Sequence, residues 1–141
     1  MFVLDTDHIS LLEWGGAIGK KLAKRIREQP QDAVVTTIIS FEEQTRGWLA
    51  FQGRARTLDQ QVNAYRKLKH HLDTYREIIV LEFDAEAADE FQRLKQSRIR
   101  IGTMDLKIAA IALAHHATLL SRNLPDFRRV PDLKIEDWTA S

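Results

Sequence analysis

The sequence predicts an α/β domain with a three-layer α/β/α arrangement, in which a central, mostly parallel sheet of four to five strands lies between two layers of helices. Two observations carry this reading. Short apolar runs, continuous rather than alternating, are separated by longer segments whose apolar residues recur at helical spacing; this is the pattern of buried parallel strands joined by crossover helices. Acidic residues then follow strand-like runs at separate places along the chain, where ligands of open parallel sheets sit. At 141 residues the chain is long enough for one sizeable core. Residues 1–141 are read as a single domain, because no repeat, low-complexity stretch or Pro/Gly-rich linker interrupts them.

The elements follow in order. Residues 2–5, "FVLD", open as a buried strand. A short helix over 7–14 stops at Gly15 and Gly16, and a second over 18–28 is stopped by Pro30. "AVVTTII", residues 33–39, is β-branched and unbroken, which suits a strand covered on both faces. Residues 40–51 are helical and end at Gly53; 55–75 form a long polar helix with Leu58, Val62, Tyr65, Leu68 and Leu72 at helical spacing. A strand is expected over 78–83, a helix over 85–96 and a nearly all-apolar helix over 104–116. "ATLLS", 117–121, is another strand, and 134–138 a short edge strand.

Composition narrows the class. The hydrophobic share is 44% and the charged share 29%, as in an ordinary globular domain. The longest apolar stretch, 108–114, is far shorter than a bilayer span, so no membrane segment is expected. "MFVL" lacks the basic flank and long apolar region of a secretory signal, which points to a cytoplasmic protein. The absence of cysteine removes disulfides, thiolate zinc sites and cysteine nucleophiles. Net charge is only +1, yet basic residues crowd 20–27, 54–69 and 122–134. Each run alone reads as a solvated helix face; together they are able to flank an acidic pocket and hold a phosphate backbone.

Asp5 closes the first strand, with Asp7 just beyond. Glu42 and Glu43 follow the second, Asp105 opens the apolar helix, and Asn123 and Asp126 follow "ATLLS". In a parallel sheet all four clusters project at one rim. Simpler roles exist for several of them. Asp7 suits a helix cap, Ser40 with Glu43 a capping box, Asp105 a helix-dipole partner and Asp126 a turn. Against these, Asp105 shares a helix face with Ile108, Ala109 and Ala112, where an unpartnered acid is costly. Gly47, one turn after Glu43, clears space beside that carboxylate, although glycine costs a helix about 1 kcal/mol. Asp5 is the strongest case, since a strand buried on both faces does not end in charge without a reason. Two carboxylates about 4 Å apart repel by about 4 kcal/mol at an effective dielectric of roughly 20, which a proton or a cation relieves. Oxygen ligands without cysteine select a hard ion, Mg²⁺ or Mn²⁺. The adjacent pairs His70-His71 and His115-His116 lack the spacing of a helical zinc site. They are read as surface or partly buried helix residues, and His8 is given at most a minor role.

Four stretches in order carry a resemblance: "LDTDHIS", "TTIISFEEQTRGW", "IGTMDLKIAAIALAHHATLLSRNLPDF" and "VPDLKIEDW". Together they resemble the PIN-domain ribonucleases, above all the VapC-type toxins of VapB–VapC type II toxin–antitoxin pairs, over nearly the whole chain. The resemblance implies a PIN-like nuclease fold and assigns residues one by one. Asp5 matches the family's first metal-binding acid, and Thr6 and Asp7 the polar residues after it. The family's Glu stands four residues before a Gly, so Gly47 selects Glu43, with Glu42 its neighbour. Asp105 matches the third acid. In the last motif, commonly Thr-x-Asn-x-x-Asp-Phe, Asn123, Asp126 and Phe127 match, and Ser121 replaces Thr while keeping a hydroxyl. Asp126 is favoured over Asn123 as a metal contact because it carries charge.

The function so implied is a metal-dependent endoribonuclease, the toxin of such a pair, cutting RNA such as tRNA or rRNA. Asp5, Glu43, Asp105 and Asp126 would be catalytic and hold Mg²⁺, with Mn²⁺ an alternative. Thr6, Asp7, Glu42, Ser121 and Asn123 would support them, and Arg122 and Arg128 would contact RNA phosphates. Implied partners are a VapB-like antitoxin and a second copy in a homodimer, with 55–75 following Trp48, Leu49 and Phe51 forming a partner groove. Two other readings compete. An apolar strand ending in Asp-x-Asp also resembles a haloacid-dehalogenase-like phosphatase with Asp5 as nucleophile, although Ile9 stands where Thr or Val is usual. A catalytically silent RNA- or antitoxin-binding module is the second.

Overall fold

The computed structural model describes residues 1–140. Five strands, β1 (Phe2–Leu4), β2 (Val34–Thr37), β3 (Val80–Leu81), β4 (Thr118–Leu120) and β5 (Lys134–Glu136), form one sheet in the order β3-β2-β1-β4-β5. Every pairing is parallel: Val3 lies opposite Val35 on one side and Leu119 on the other. The helices are α1 (Thr6–Trp14), α2 (Gly16–Arg27), α3 (Ile38–Gly53), α4 (Leu58–Arg76), α5 (Ala85–Gln96), α6 (Thr103–Ala114) and α7 (Leu124–Phe127).

The alternation of side chains along the strands explains the three layers. Val3, Val35 and Leu119 face a core built with Ala87 and Leu94 of α5 and Ile108 to Ala112 of α6. Leu4 and Leu120, the next residues along, face a second core made with Ile9 of α1, Leu22 of α2, Tyr75 of α4 and Trp138. Because both faces are covered, the strands read as continuous apolar runs rather than alternating ones. The chain builds outward from β1 through β2 to β3, then returns to place β4 and β5 on the other side of β1. The carboxyl ends of β1 and β4 therefore flank the point where strand order reverses, the usual ligand crevice of such sheets.

Several expected boundaries move, each for a local reason. β2 ends at Thr37 rather than at residue 39, because the Thr37 hydroxyl caps α3 by accepting from the Ser40 N–H at 3.1 Å. Ser40 is thus inside the first turn, and the Ser40–Glu43 capping box, the simpler role for Glu43, does not form. The true capping box belongs to α4, between Thr57 and Gln60, so that helix begins at Leu58. β3 keeps only two residues of the expected 78–83; Phe83 turns away to pack on Phe91, ring centroids 5.8 Å apart. Around Asp126, for which a turn is the simpler role, the chain forms α7, started by a proline in its first turn and pinned by the fully buried Phe127. The break between α1 and α2 falls where Gly16 takes φ 57°, and glycine is needed on either side of it: a Cβ at Gly15 would stand 2.3 Å from the Leu11 carbonyl oxygen, and one at Gly19 2.1 Å from it.

Leu120 is fully buried between β4 and the second core. Leu120→Ala is expected to cost about 2–5 kcal/mol of unfolding free energy, read as a lowered denaturant midpoint with an unchanged slope.

Candidate active site

The acids do meet at the rim. Asp5 follows β1 directly and is 5% exposed. It, rather than Asp7, caps α1: Asp5 Oδ1 accepts from the Thr6 N–H at 2.8 Å. Its other oxygen, Oδ2, accepts from the Ser121 hydroxyl at 2.7 Å. Ser121 follows β4, so this bond ties the ends of the two central strands together across the reversal point.

From Asp5 the contacts spread in both directions. Thr6 Oγ1 donates to Glu43 Oε1 at 3.0 Å and lies 3.1 Å from Ser40 Oγ, bringing α3 to the rim. On the other side the Asn123 N–H donates to Ser121 Oγ at 3.0 Å. The Asn123 amide reaches Asp126 Oδ2 at 3.1 Å and Asp105 Oδ2 at 3.5 Å. Asp7 Oδ2 accepts from the Arg122 N–H at 2.9 Å and lies 3.4 Å from Ser121 Oγ. Asp5, Thr6, Asp7, Glu43, Asp105, Ser121, Asn123 and Asp126 thus belong to one polar assembly drawn from both sides of the reversal point. Asp105 is no simple dipole partner, for its side chain meets Asn123 while the residues after it, Leu106 and Ile108 to Ala112, are buried.

Not every expected residue joins. Glu42 turns outward and pairs with Arg46 at 2.6 Å on the exposed face of α3, so geometry separates it from Glu43. Arg122 contributes its backbone N–H, and its side chain, like that of Arg128, is exposed beside the rim. Gly47 meets no packing constraint, since a Cβ there would contact nothing within 4 Å. The histidines depart from expectation more. His71 is buried, its Nε2 2.7 Å from Thr45 Oγ1 and its ring stacked 5.2 Å from Phe41. His8 is fully buried, with Nδ1 2.8 Å from Asp7 Oδ1. Nothing in the local sequence pattern marks either for burial.

Electrostatics makes the rim unusual. Among the described residues, no lysine or arginine forms an ion pair with Asp5, Glu43, Asp105 or Asp126. Burial, and then the neighbouring Asp7 and Asp105, push the Asp5 carboxyl up to about 7, against the lowering effect of its bonds to Ser121 and Thr6. Glu43 is raised by burial and by Asp105 and Glu42, with the Thr6 bond opposing. Asp105 is raised by burial, Asp126 and Asp7, with Asn123 opposing. Among the described residues no three of these groups are already gathered in a metal-chelating set; oxygens of Asp5, Glu43 and Asp105 rest on Thr6, Ser121 and Asn123 instead. The donor set nonetheless fits a hard divalent cation: it is all oxygen, half-buried or deeper, and carries uncompensated charge.

A wholly parallel, doubly wound sheet whose carboxylates collect where strand order reverses defines a small class of α/β domain. Comparisons agree with that class and sharpen it. The family model for the PIN domain matches residues 2–133, and the chain belongs to the PIN-domain family. It is 30% identical to Ribonuclease VapC1 of Haemophilus influenzae (strain R2866), over 99% of this chain and 98% of the relative. Among solved structures it is similar to VapBC-1 from nontypeable Haemophilus influenzae, with TM-score 0.69, 27% identity and 99% and 98% of the two chains covered. It also matches VapBC2 from Rickettsia felis bound to a DNA fragment from their promoter, with TM-score 0.73, 21% identity and 97% and 98% covered; at that identity the likeness concerns the fold.

The raised Asp5 carboxyl predicts a pH dependence for the metal-free protein. The folded state holds a proton up to about pH 7 that the unfolded chain releases near 3.8. The stabilisation from this group is therefore full below the unfolded value and is lost as pH rises through about 7. In the presence of a chelator, Asp5→Asn should gain stability over the wild type between about pH 4 and pH 8, on the order of a few kcal/mol. Denaturant midpoints of the two proteins at both pH values measure it; a constant difference would refute the burial argument.

Proposed function

We propose that this chain is a divalent-metal-dependent endoribonuclease and the toxin half of a toxin–antitoxin pair. The observation that carries the reading is the joined set of Asp5, Glu43, Asp105 and Asp126 at the reversal point, with no basic side chain of the described residues balancing it. The names of its relatives support the same reading: the 30%-identical relative is a ribonuclease, and VapBC assemblies are among the similar structures.

In this reading Asp5, Glu43, Asp105 and Asp126 hold Mg²⁺, with Mn²⁺ the alternative. When bound, such an ion lowers the pKa of a coordinated water and stabilises charge on the leaving oxygen of a phosphodiester. The protein's own groups do the rest. Ser121 and Thr6 fix the directions of the Asp5 and Glu43 carboxylates by hydrogen bonds. Asn123 holds Asp105 and Asp126 to one another, and Asp7 adds a further oxygen beside Ser121. The exposed Arg122 and Arg128 flank the rim and are placed to meet phosphates on either side of the cut. The partner is a VapB-like antitoxin, and the active form a homodimer in the cytoplasm. The exposed apolar side chains Leu58, Val62, Tyr65 and Leu72 along α4 supply a surface for a partner. Among the described residues no helix is long and apolar enough to cross a membrane.

A phosphatase using Asp5 as nucleophile gains no support, since among the described residues no lysine or arginine pairs with that carboxylate. A silent binding module leaves the uncompensated acids without a purpose.

Asp105→Asn should reduce metal-dependent cleavage of total RNA by more than about 100-fold, beyond what losing an outer partner of a metal site usually costs, while circular dichroism stays native. EDTA should abolish cleavage, and Mg²⁺ or Mn²⁺ restore it. Undiminished cleavage by the folded variant would remove the acids from the mechanism.

A further inference from the structure

Among the described residues His8 is the one fully buried titratable side chain at the rim. Burying an imidazole costs free energy unless both nitrogens are satisfied, and here both are. Nε2 accepts from the Trp138 N–H at 3.2 Å. The tautomer that fits this bond leaves Nε2 bare and carries the proton on Nδ1, which then donates to Asp7 Oδ1 at 2.8 Å. The other oxygen of Asp7 accepts from the Arg122 N–H and lies near the same Ser121 hydroxyl that donates to Asp5. Asp7 is therefore clamped at both oxygens.

The far end of this chain of bonds is anchored independently. Trp138 is 6% exposed, its ring lies 4.7 Å from that of Phe2, and the Arg25 guanidinium of α2 sits 4.2 Å above it. Its indole N–H donates to Glu136 Oε1, and the Glu136 carbonyl receives the Ser121 N–H. Trp138 lies beyond residue 133, where the family match ends. The segment after that point reaches the rim twice: through Ser121 directly and through His8.

We infer that His8 is a positioning residue for the acidic rim, transmitting the anchored place of Trp138 to the Asp7 carboxylate and so fixing one wall of the ion site. The inference rests on the proposed metal-dependent reading of that rim.

Two substitutions separate the halves of the bridge. His8→Asn keeps a donor where Nδ1 stands and loses the acceptor for Trp138; His8→Gln keeps an acceptor where Nε2 stands and loses the donor to Asp7. Calorimetric titration with Mn²⁺ is expected to show affinity lowered about 10-fold in His8→Gln, the low end of the range for outer partners of metal ligands because Asp7 stands between His8 and the ligands, with little change in melting temperature. His8→Asn should melt lower and bind Mn²⁺ within a few-fold of wild type. A folded His8→Gln protein with wild-type affinity overturns the inference, and so does an equal loss in both variants, which would mark His8 as packing alone. A wild type that binds no Mn²⁺ overturns the metal reading first, and the positioning role with it. Should His8→Gln fail to fold, ¹⁵N spectra of the wild-type imidazole decide: a proton on Nδ1 supports the bridge, and a proton on Nε2 overturns it.

Discussion

A carboxylate at the end of a strand covered on both faces needs partners, and the arrangement around Asp5 follows from that need. Asp5 is buried, and backbone and hydroxyl groups bond its oxygens: the Thr6 N–H on one and the Ser121 hydroxyl on the other. These are neutral donors. They hold the direction of the side chain without cancelling its charge, and Asp7 and Asp105 lie close enough to raise its pKa further. A guanidinium in the same place would cancel that charge and close the site to a cation. The described residues instead keep Arg46 on Glu42 and Arg25 over Trp138, away from the rim.

The sheet supplies the meeting place. Residues separated by more than a hundred positions in sequence, Asp5 and Ser121, come within a hydrogen bond because β1 and β4 are adjacent and in register. Asp105 and Asn123 arrive from α6 and the start of α7, whose buried Ile108 and Phe127 lock those elements onto one face. Glu43 arrives from the opposite side of the reversal point on α3. Each acid is thus placed by a different packed element, and the site inherits the rigidity of the whole core.

The parallel α/β class and the convergence of four acidic clusters were readable in the sequence, because continuous β-branched runs and acids at strand ends are local signals. Ser40 shows where that reading stops. Its spacing to Glu43 satisfies a capping pattern, yet Thr37, three residues earlier, offers the same chemistry and the strand ends there. Choosing between two adequate caps depends on strand length, which is set by pairing with β1 and β3 and not by the segment itself. Glu42 and Glu43 were separable only by a glycine spacing until the partners Arg46 and Thr6 were visible. His8 was given at most a minor role, because beside the adjacent Asp7 its other partner is a backbone N–H two residues past the last strand, and no side-chain pattern announces a backbone donor.

The two borders of the sheet are short: Val80–Leu81 on one side and Lys134–Glu136, charged at both ends, on the other. Such stubs offer few open amide and carbonyl groups to a neighbouring chain, and charge at an outer strand repels further strand addition. Molecules of this protein are therefore poor templates for stacking into a continuous sheet, even at high concentration.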